Sequence, residues 1–174
     1  MTRNPLQALA AILAILLFSL VAAPARAGEA EMDLLRSYIG KWSGKGVLVG
    51  GAQPESFRCR LNIAKGNQSK INYAGRCTLV DMNLSVSGTI LYDDAKRRYQ
   101  AVMSSNAGFT GGAIGLQQGD QISFDLNEKQ VDRGGNAIRI GSRIFLTGNT
   151  ITVEFEVEFN NSGQVLTARV PFSK

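Results

Sequence analysis

From Lys41 onward, apolar and polar residues alternate with a period of two, and turn-forming residues break the pattern about every 8–14 residues. Such alternation turns one face of each strand toward a core and the other toward water. A series of strands joined by short turns ends in two sheet edges, and open edges pair with other chains unless they are covered or joined. The pattern therefore predicts an all-β chain, an antiparallel up-and-down β-barrel of about 8–10 strands closed on itself. There is no internal repeat and no interdomain linker.

Turn chemistry sets the expected registers. A two-residue turn at Gly148-Asn149 suits the primed turn types. It places Ile144 opposite Val153, Leu146 opposite Ile151 and Ile140 opposite Val157, with Arg143 meeting Glu154 and Arg139 meeting Glu158 on the other face. One register thus gives apolar pairs on one side and opposite charges on the other, each pair contributing about 0.2–1 kcal/mol. The turn NNSG then sets Val157 against Leu166, Phe155 against Ala168 and Val153 against Val170, with Arg169 opposite Glu154. A hairpin about Ala95 pairs Tyr92 with Tyr99, Ile90 with Ala101 and Gly88 with Met103. In a fourth hairpin, Leu116 is expected to face Phe124, and Ile114 to face Leu126. KWSGKGVLV begins the strands. The stretch EAEMDLLRSYIG before it reads as a short N-terminal helix with Met32, Leu34, Leu35 and Ile39 as its apolar stripe and Gly40 as its C-cap.

The only two cysteines, Cys59 and Cys77, flank the turn residues KGNQSK. A hairpin that sets them opposite each other has its tip at Gln68 and also aligns Leu61 with Gly75 and Ile63 with Tyr73. We expect a cross-strand disulfide, since the chain has no C-x-x-C motif to suggest a redox pair. The N-terminus agrees. Residues 1–27 carry Arg3, an apolar run from Leu6 to Ala23 and an A-x-A site at Ala25-Arg26-Ala27, the pattern of a secretory signal peptide. A retained membrane anchor is the competing reading of that run. Residues 28–174 then form a single domain, expected to be periplasmic or secreted, where a cysteine pair oxidises. Cleavage leaves 17 basic and 14 acidic residues, a net charge of +3 with no dense basic stripe along the sequence, so no nucleic-acid partner is expected. Lys96-Arg97-Arg98, next to Asp93-Asp94, reads as a solvated turn.

Gly40-Lys41-Trp42 is a G-x-W where the helix enters the first strand. With the strand series it resembles the lipocalin-like, calycin-type β-barrels. The resemblance covers residues 33–174 as architecture and three residues as motif, and it implies that Trp42 closes one barrel end. It also implies a binding protein for a small apolar ligand. The T-D-Y signature of typical lipocalins is missing. Nitrobindin-like barrels hold haem through a histidine, and this chain has none, so no haem or other cofactor is expected.

The lack of histidine removes Ser–His and Cys–His nucleophiles and histidine-based zinc sites. Glu154, Glu156 and Glu158 fall on the outward face, and Asp93, Asp94, Asp120 and Asp125 in turns or on the surface. No catalytic or metal-binding residue is assigned, and the chain is not expected to be an enzyme. The lumen is the candidate site. Trp42, Tyr73, Tyr92, Tyr99, Met103, Phe124 and Phe155 fall on its face beside Gly44, Gly46, Gly75 and Gly88. Those glycines either kink strands for closure or vacate volume for a ligand. The expected function is an exported soluble barrel binding a small apolar or amphipathic molecule or lipid. The alternatives are an envelope protein with a filled barrel that works through a protein partner, and a small outer-membrane barrel. The latter is disfavoured here because the strands look short for a membrane span.

Overall fold

The computed structural model describes residues 28–67, 69–80, 82–131 and 134–174. The signal-peptide reading of residues 1–27 and the hairpin tip at Gln68 lie outside them. One helix, α1 (Glu29–Ser37), precedes ten strands: β1 (Gly40–Val49), β2 (Glu55–Lys65), β3 (Lys70–Thr78), β4 (Asn83–Asp93) and β5 (Arg98–Ser105), then β6 (Thr110–Gln118), β7 (Gln121–Val131), β8 (Ala137–Thr147), β9 (Thr150–Phe159) and β10 (Gln164–Ser173). Each strand pairs antiparallel with the next, and β1 pairs with β10, so the sheet closes into a barrel with no free edge. The fold expected from the alternation is the fold observed.

The registers set by turn chemistry hold at three hairpins. Ile144 faces Val153 and Arg143 faces Glu154. Phe155 faces Ala168, and Tyr92 faces Tyr99. Cys59 and Cys77 lie directly opposite one another, 4.0 Å apart at Cα, and are joined as a disulfide.

The fourth hairpin differs. Gln118 pairs with Gln121 around a two-residue turn, with Gly119 at φ +63° as a primed turn requires. This moves the register by one residue and reverses the faces of β6. Gly115 now faces Phe124, while Ile114 and Leu116 point outward, 42% and 60% exposed. Packing gives the reason: a Cβ at Gly115 would meet the rings of Phe124 and Tyr99, so only glycine fits the inward position. The helix also ends earlier than expected. Its C-cap is Tyr38, whose amide bonds back to the carbonyl of Leu35, and Gly40 is already the first residue of β1.

The strands run to 8–11 residues, longer than they look in the sequence. Their length would permit a membrane span, and the faces decide the matter instead. Large apolar side chains line the inside, while Lys45, Arg58, Arg60, Asp125 and Glu156 stand on the outside in mid-strand. A cation on a lipid-facing wall costs about 2–4 kcal/mol at mid-bilayer, so this wall is built for water.

Alternating strand direction gives the barrel two unlike ends. At one end α1 lies across the opening. Met32, Leu35 and Tyr38 from the helix join Trp42, Ile71, Ile90, Tyr99, Ile122, Leu146, Ile151 and Phe172 in one buried cluster. Burial of a side chain such as Leu35 contributes about 1.5–3 kcal/mol. The Trp42 Nε1–H donates to the Tyr38 carbonyl at 2.8 Å, and the two rings stack with centroids 6.2 Å apart. Lys174 lies 4.8 Å above the Trp42 ring and donates to the Ser37 carbonyl at 3.1 Å, placing a cation at the helix C-terminus where the dipole favours it. Trp42 thus closes this end, as the resemblance implies. The other end, formed by the β1–β2, β3–β4, β5–β6, β7–β8 and β9–β10 connections, carries no such plug among the described residues.

Closure is uneven at the β1–β10 seam. Pairing runs through Gly44 with Phe172 and resumes at Leu48 with Ala168, and the stretch between is unpaired. Pro171 has no N–H to donate there. Gly44 and Gly46 let Val170 approach, since a Cβ at Gly46 would meet Val170 Cγ2 at 2.9 Å and the Phe57 ring at 2.7 Å.

Candidate functional site

The inward face changes character along the barrel axis. Near α1 the inward residues are sealed: Ile71, Ile122 and Leu146 are at most 2% exposed. Toward the open end the same face is mixed: Phe57, Leu126 and Ile140 are buried, 7%, 5% and 3% exposed, while other inward side chains stay partly exposed. They include Leu48, Leu84, Val86, Met103, Ile138, Phe155, Val157 and Leu166. Solvent therefore reaches part of the interior wall at this end.

The seven lumen candidates divide between the two halves. Trp42, Tyr92, Tyr99 and Phe124 belong to the plugged end. Tyr92 and Tyr99 meet edge to face with centroids 5.0 Å apart, and Tyr99 meets Phe124 at 6.4 Å. The Tyr99 hydroxyl donates to Gln117 Oε1 at 2.8 Å and is raised above the ordinary phenol pKa, first by burial and then by Glu31. Burial and then Asp120 raise Tyr38 in the same way. Tyr73, Met103 and Phe155 line the open half. The Tyr73 ring crosses Gly88 so that its hydroxyl donates to the Val102 carbonyl on β5 at 3.1 Å, and burial pushes its pKa up to about 12. It is a neutral donor at any ordinary pH.

The inward glycines are mostly occupied. Phe57 lies over Gly46, Tyr73 over Gly88, and Phe124 with Tyr99 over Gly115. Close packing of side chains, more than vacated volume, explains these three. Gly75 is roomier: a Cβ there would find Val86 at 3.1 Å and Leu61 at 3.6 Å. Cys59 and Cys77 also sit on the inward face, so the disulfide forms part of the lumen wall.

Sequence reasoning passed over the polar groups at the mouth. Glu128 and Gln130 share the inward face of β7 with Phe124 and Leu126, and Ser105 lies at the corresponding end of β5. Glu128 reaches across Gly111, whose Cβ position would lie 3.1 Å from Glu128 Oε1. Glu55 ends β2 on the same face and accepts a hydrogen bond from the Val80 amide. Parity along β7 from Phe124 was the available signal, but a charge in that pattern reads as outward. Among the described residues, no three His, Cys, Asp or Glu side chains cluster as metal ligands.

The outer wall adds a separate feature. A groove of about 970 Å³ runs over β1–β3 between Ser43, Lys45, Arg58, Arg60, Arg76 and Thr78.

No protein-family model matches the chain, and no curated protein matches it. Solved structures do match by shape. The crystal structure of Rv2717c from M. tuberculosis superposes with a TM-score of 0.60 at 14% identity, covering 82% of this chain and 96% of that one. The S-type phycobiliprotein lyase CPES from Guillardia theta superposes at 0.53 with 16% identity, covering 84% and 92%. At this identity the likeness is one of fold alone.

Proposed function

We propose that the chain binds a small amphipathic molecule, apolar body inward, in the open half of its barrel, and that it acts as a carrier or receptor without catalysing a reaction. One observation carries this reading. Several inward apolar residues of the open half, Met103 and Phe155 among them, remain partly exposed, while Ile71, Ile122 and Leu146 beneath α1 are sealed. Burying apolar ligand surface there is worth about 25 cal/mol per Å² before ordering costs. The fold shared with Rv2717c and with the phycobiliprotein lyase CPES supports a small-ligand site. The signal-like residues 1–27 and the disulfide support an exported, oxidising location.

The mouth adds a preference for the polar end. Glu55 and Glu128 face inward there, beside Gln130 and Ser105. An ammonium or hydroxyl head group finds acceptors at this level, and a carboxylate head group meets like charge. A second reading, a filled barrel acting through a protein partner, draws on the occupied glycines at Gly46, Gly88 and Gly115.

Thermal shift with alkyl amines, alcohols and carboxylates of one chain length tests both, since a ligand bound only to the folded state raises Tm by mass action. Binding is expected, in that order of strength. Met103→Trp and Phe155→Trp should abolish it while the protein stays folded. If no member of the series shifts the melting temperature, and native mass spectrometry finds no co-purified small molecule, the carrier reading is wrong and the filled barrel replaces it.

A further inference from the structure

We infer that the corner where β1, β2 and β3 meet the open end of the barrel is a docking surface for an anionic lipid bilayer. This rests on the carrier reading, because it brings the mouth of the lumen to the place where an amphipathic ligand is found.

Two independent features meet at this corner. The first is charge. Lys45, Arg58, Arg60 and Arg76 share the outer wall, with Lys45 directly opposite Arg58 and Arg60 directly opposite Arg76. Like charges facing across a ladder destabilise a sheet, so the fold gains nothing from this arrangement. On β8, β9 and β10 the outer wall pairs charges, Arg139 with Glu158, and Arg143 and Arg169 with Glu154, although Lys129 also faces Arg139. Among the described residues these four cations have no acidic partner. The acidic strand β9 lies two strands beyond β1 round the wall, so a protein docked on its basic side turns that strand away from the lipid.

The second feature is apolar. Of the nine large hydrophobic side chains that are exposed among the described residues, five stand at the open end: Val49, Val80, Met82, Val131 and Val165. Val80 is 78% exposed and Met82 50%, both in the loop that follows β3, next to Arg76 and Thr78. Val49 ends β1 beside them. The connections 50–54, 106–109 and 160–163 contain no charged residue, which lowers the cost of bringing this rim to a headgroup layer. The connections 79–82 and 132–136 carry Asp81, Asp132 and Arg133. Aliphatic side chains flanked by unpaired cations are what interfacial binding requires: buried apolar area plus attraction to anionic lipid. Glu128 stands inside the mouth, and Glu55 sits at the rim with its carboxylate held on the Val80 amide.

The test is co-sedimentation of the purified protein with vesicles of phosphatidylglycerol mixed into phosphatidylcholine, against phosphatidylcholine alone. Binding to the mixed vesicles is expected, and it should fall as salt rises. A cation near such a surface contributes about fivefold in partitioning, so R58Q/R76Q should lose about 25-fold. V80S/M82S should weaken binding to both vesicle types. Both pairs lie outside the lumen, so binding of the neutral dye Nile red to vesicle-free protein should be unchanged. Equal binding of wild type and R58Q/R76Q to the mixed vesicles overturns the proposal. So does binding of a single-stranded oligonucleotide that R58Q/R76Q abolishes while vesicles are ignored, which would reassign the face to nucleic acid. Dye binding without vesicle binding refutes the docking alone. Vesicle binding without dye binding keeps the docking and refutes the lumen site.

Discussion

Gly88→Ala separates the two uses of an inward glycine. The Cβ it adds would overlap the Val102 carbonyl oxygen and the Tyr73 hydroxyl. One of these is backbone in the neighbouring strand and cannot move aside without opening the β4–β5 ladder. Overpacking of this kind costs about 1–3 kcal/mol, and displacing Tyr73 from its bond to Val102 costs about 1 kcal/mol more. Alanine returns about 0.5–1 kcal/mol by restricting the unfolded chain. The net loss expected is about 1–3.5 kcal/mol, a fall in Tm of about 2–14 °C for a domain of this size. Gly112→Ala is the control. Gly112 faces outward two strands away, and its Cβ would find only the Ala101 carbonyl at 3.6 Å, so stability should hold or rise slightly. Urea unfolding of the ligand-free proteins measures both. If Gly88→Ala comes within about 0.5 kcal/mol of Gly112→Ala, below any plausible cost of overpacking, Gly88 is not reserved for Tyr73. Weakened ligand binding by an equally stable Gly88→Ala would then show that the space belongs to the ligand.

Three further expectations follow from the same geometry. Removing the disulfide as C59A/C77A should cost about 3 kcal/mol, the value for a closed loop of this length, and a loss under about 1 kcal/mol would mean that the ladder alone holds β2 to β3. Burial favours the neutral phenol of Tyr73 in the folded state, so its contribution is complete below the unfolded value near 10 and is lost as pH rises toward about 12; ultraviolet titration should show delayed tyrosine ionisation that coincides with unfolding. Glu154→Gln removes the acceptor shared by Arg143 and Arg169, yet both arginines are more than 60% exposed, so the loss should stay below about 1 kcal/mol in a thermal melt.

The hairpin registers were legible wherever a turn and a face agreed. Gly148-Asn149 fixed β8 against β9 because the same alignment paired Arg143 with Glu154 and Ile144 with Val153. At Gly119-Asp120 two alignments competed. The one that buried Leu116 looked better on hydrophobicity and lost because Phe124 and Tyr99 leave room only for Gly115. That crowding is tertiary and has no local trace. The plugged end was legible through Trp42, though Tyr38, its hydrogen-bond and stacking partner, was missed because the stripe was drawn through its neighbour Ile39. Lumen candidates sorted by residue type mixed the two ends, since Tyr99 and Phe124 are sealed while Met103 and Phe155 are not. Glu128 escaped notice because charge in a period-two pattern reads as outward. The basic corner could not be seen in a linear count, because the 50–54 connection carries no tight-turn signal to align Lys45 with Arg58.

The seam between β1 and β10 governs when this molecule can exist. Ser43 finds Ser173 across about 130 residues of chain, a loop whose closure costs about 4 kcal/mol in entropy. Every other ladder joins neighbours and can form as the polypeptide emerges. Until β10 is made, the growing ribbon has two raw borders and an oily face open to whatever is nearby. Interruption of the ladder from Lys45 to Val47 makes the final zipping weaker still. A cell that makes this protein therefore has to shield an unfinished ribbon throughout synthesis, and slow, late-closing topologies of this kind are well matched to a chaperone or an unfolded-state transport route.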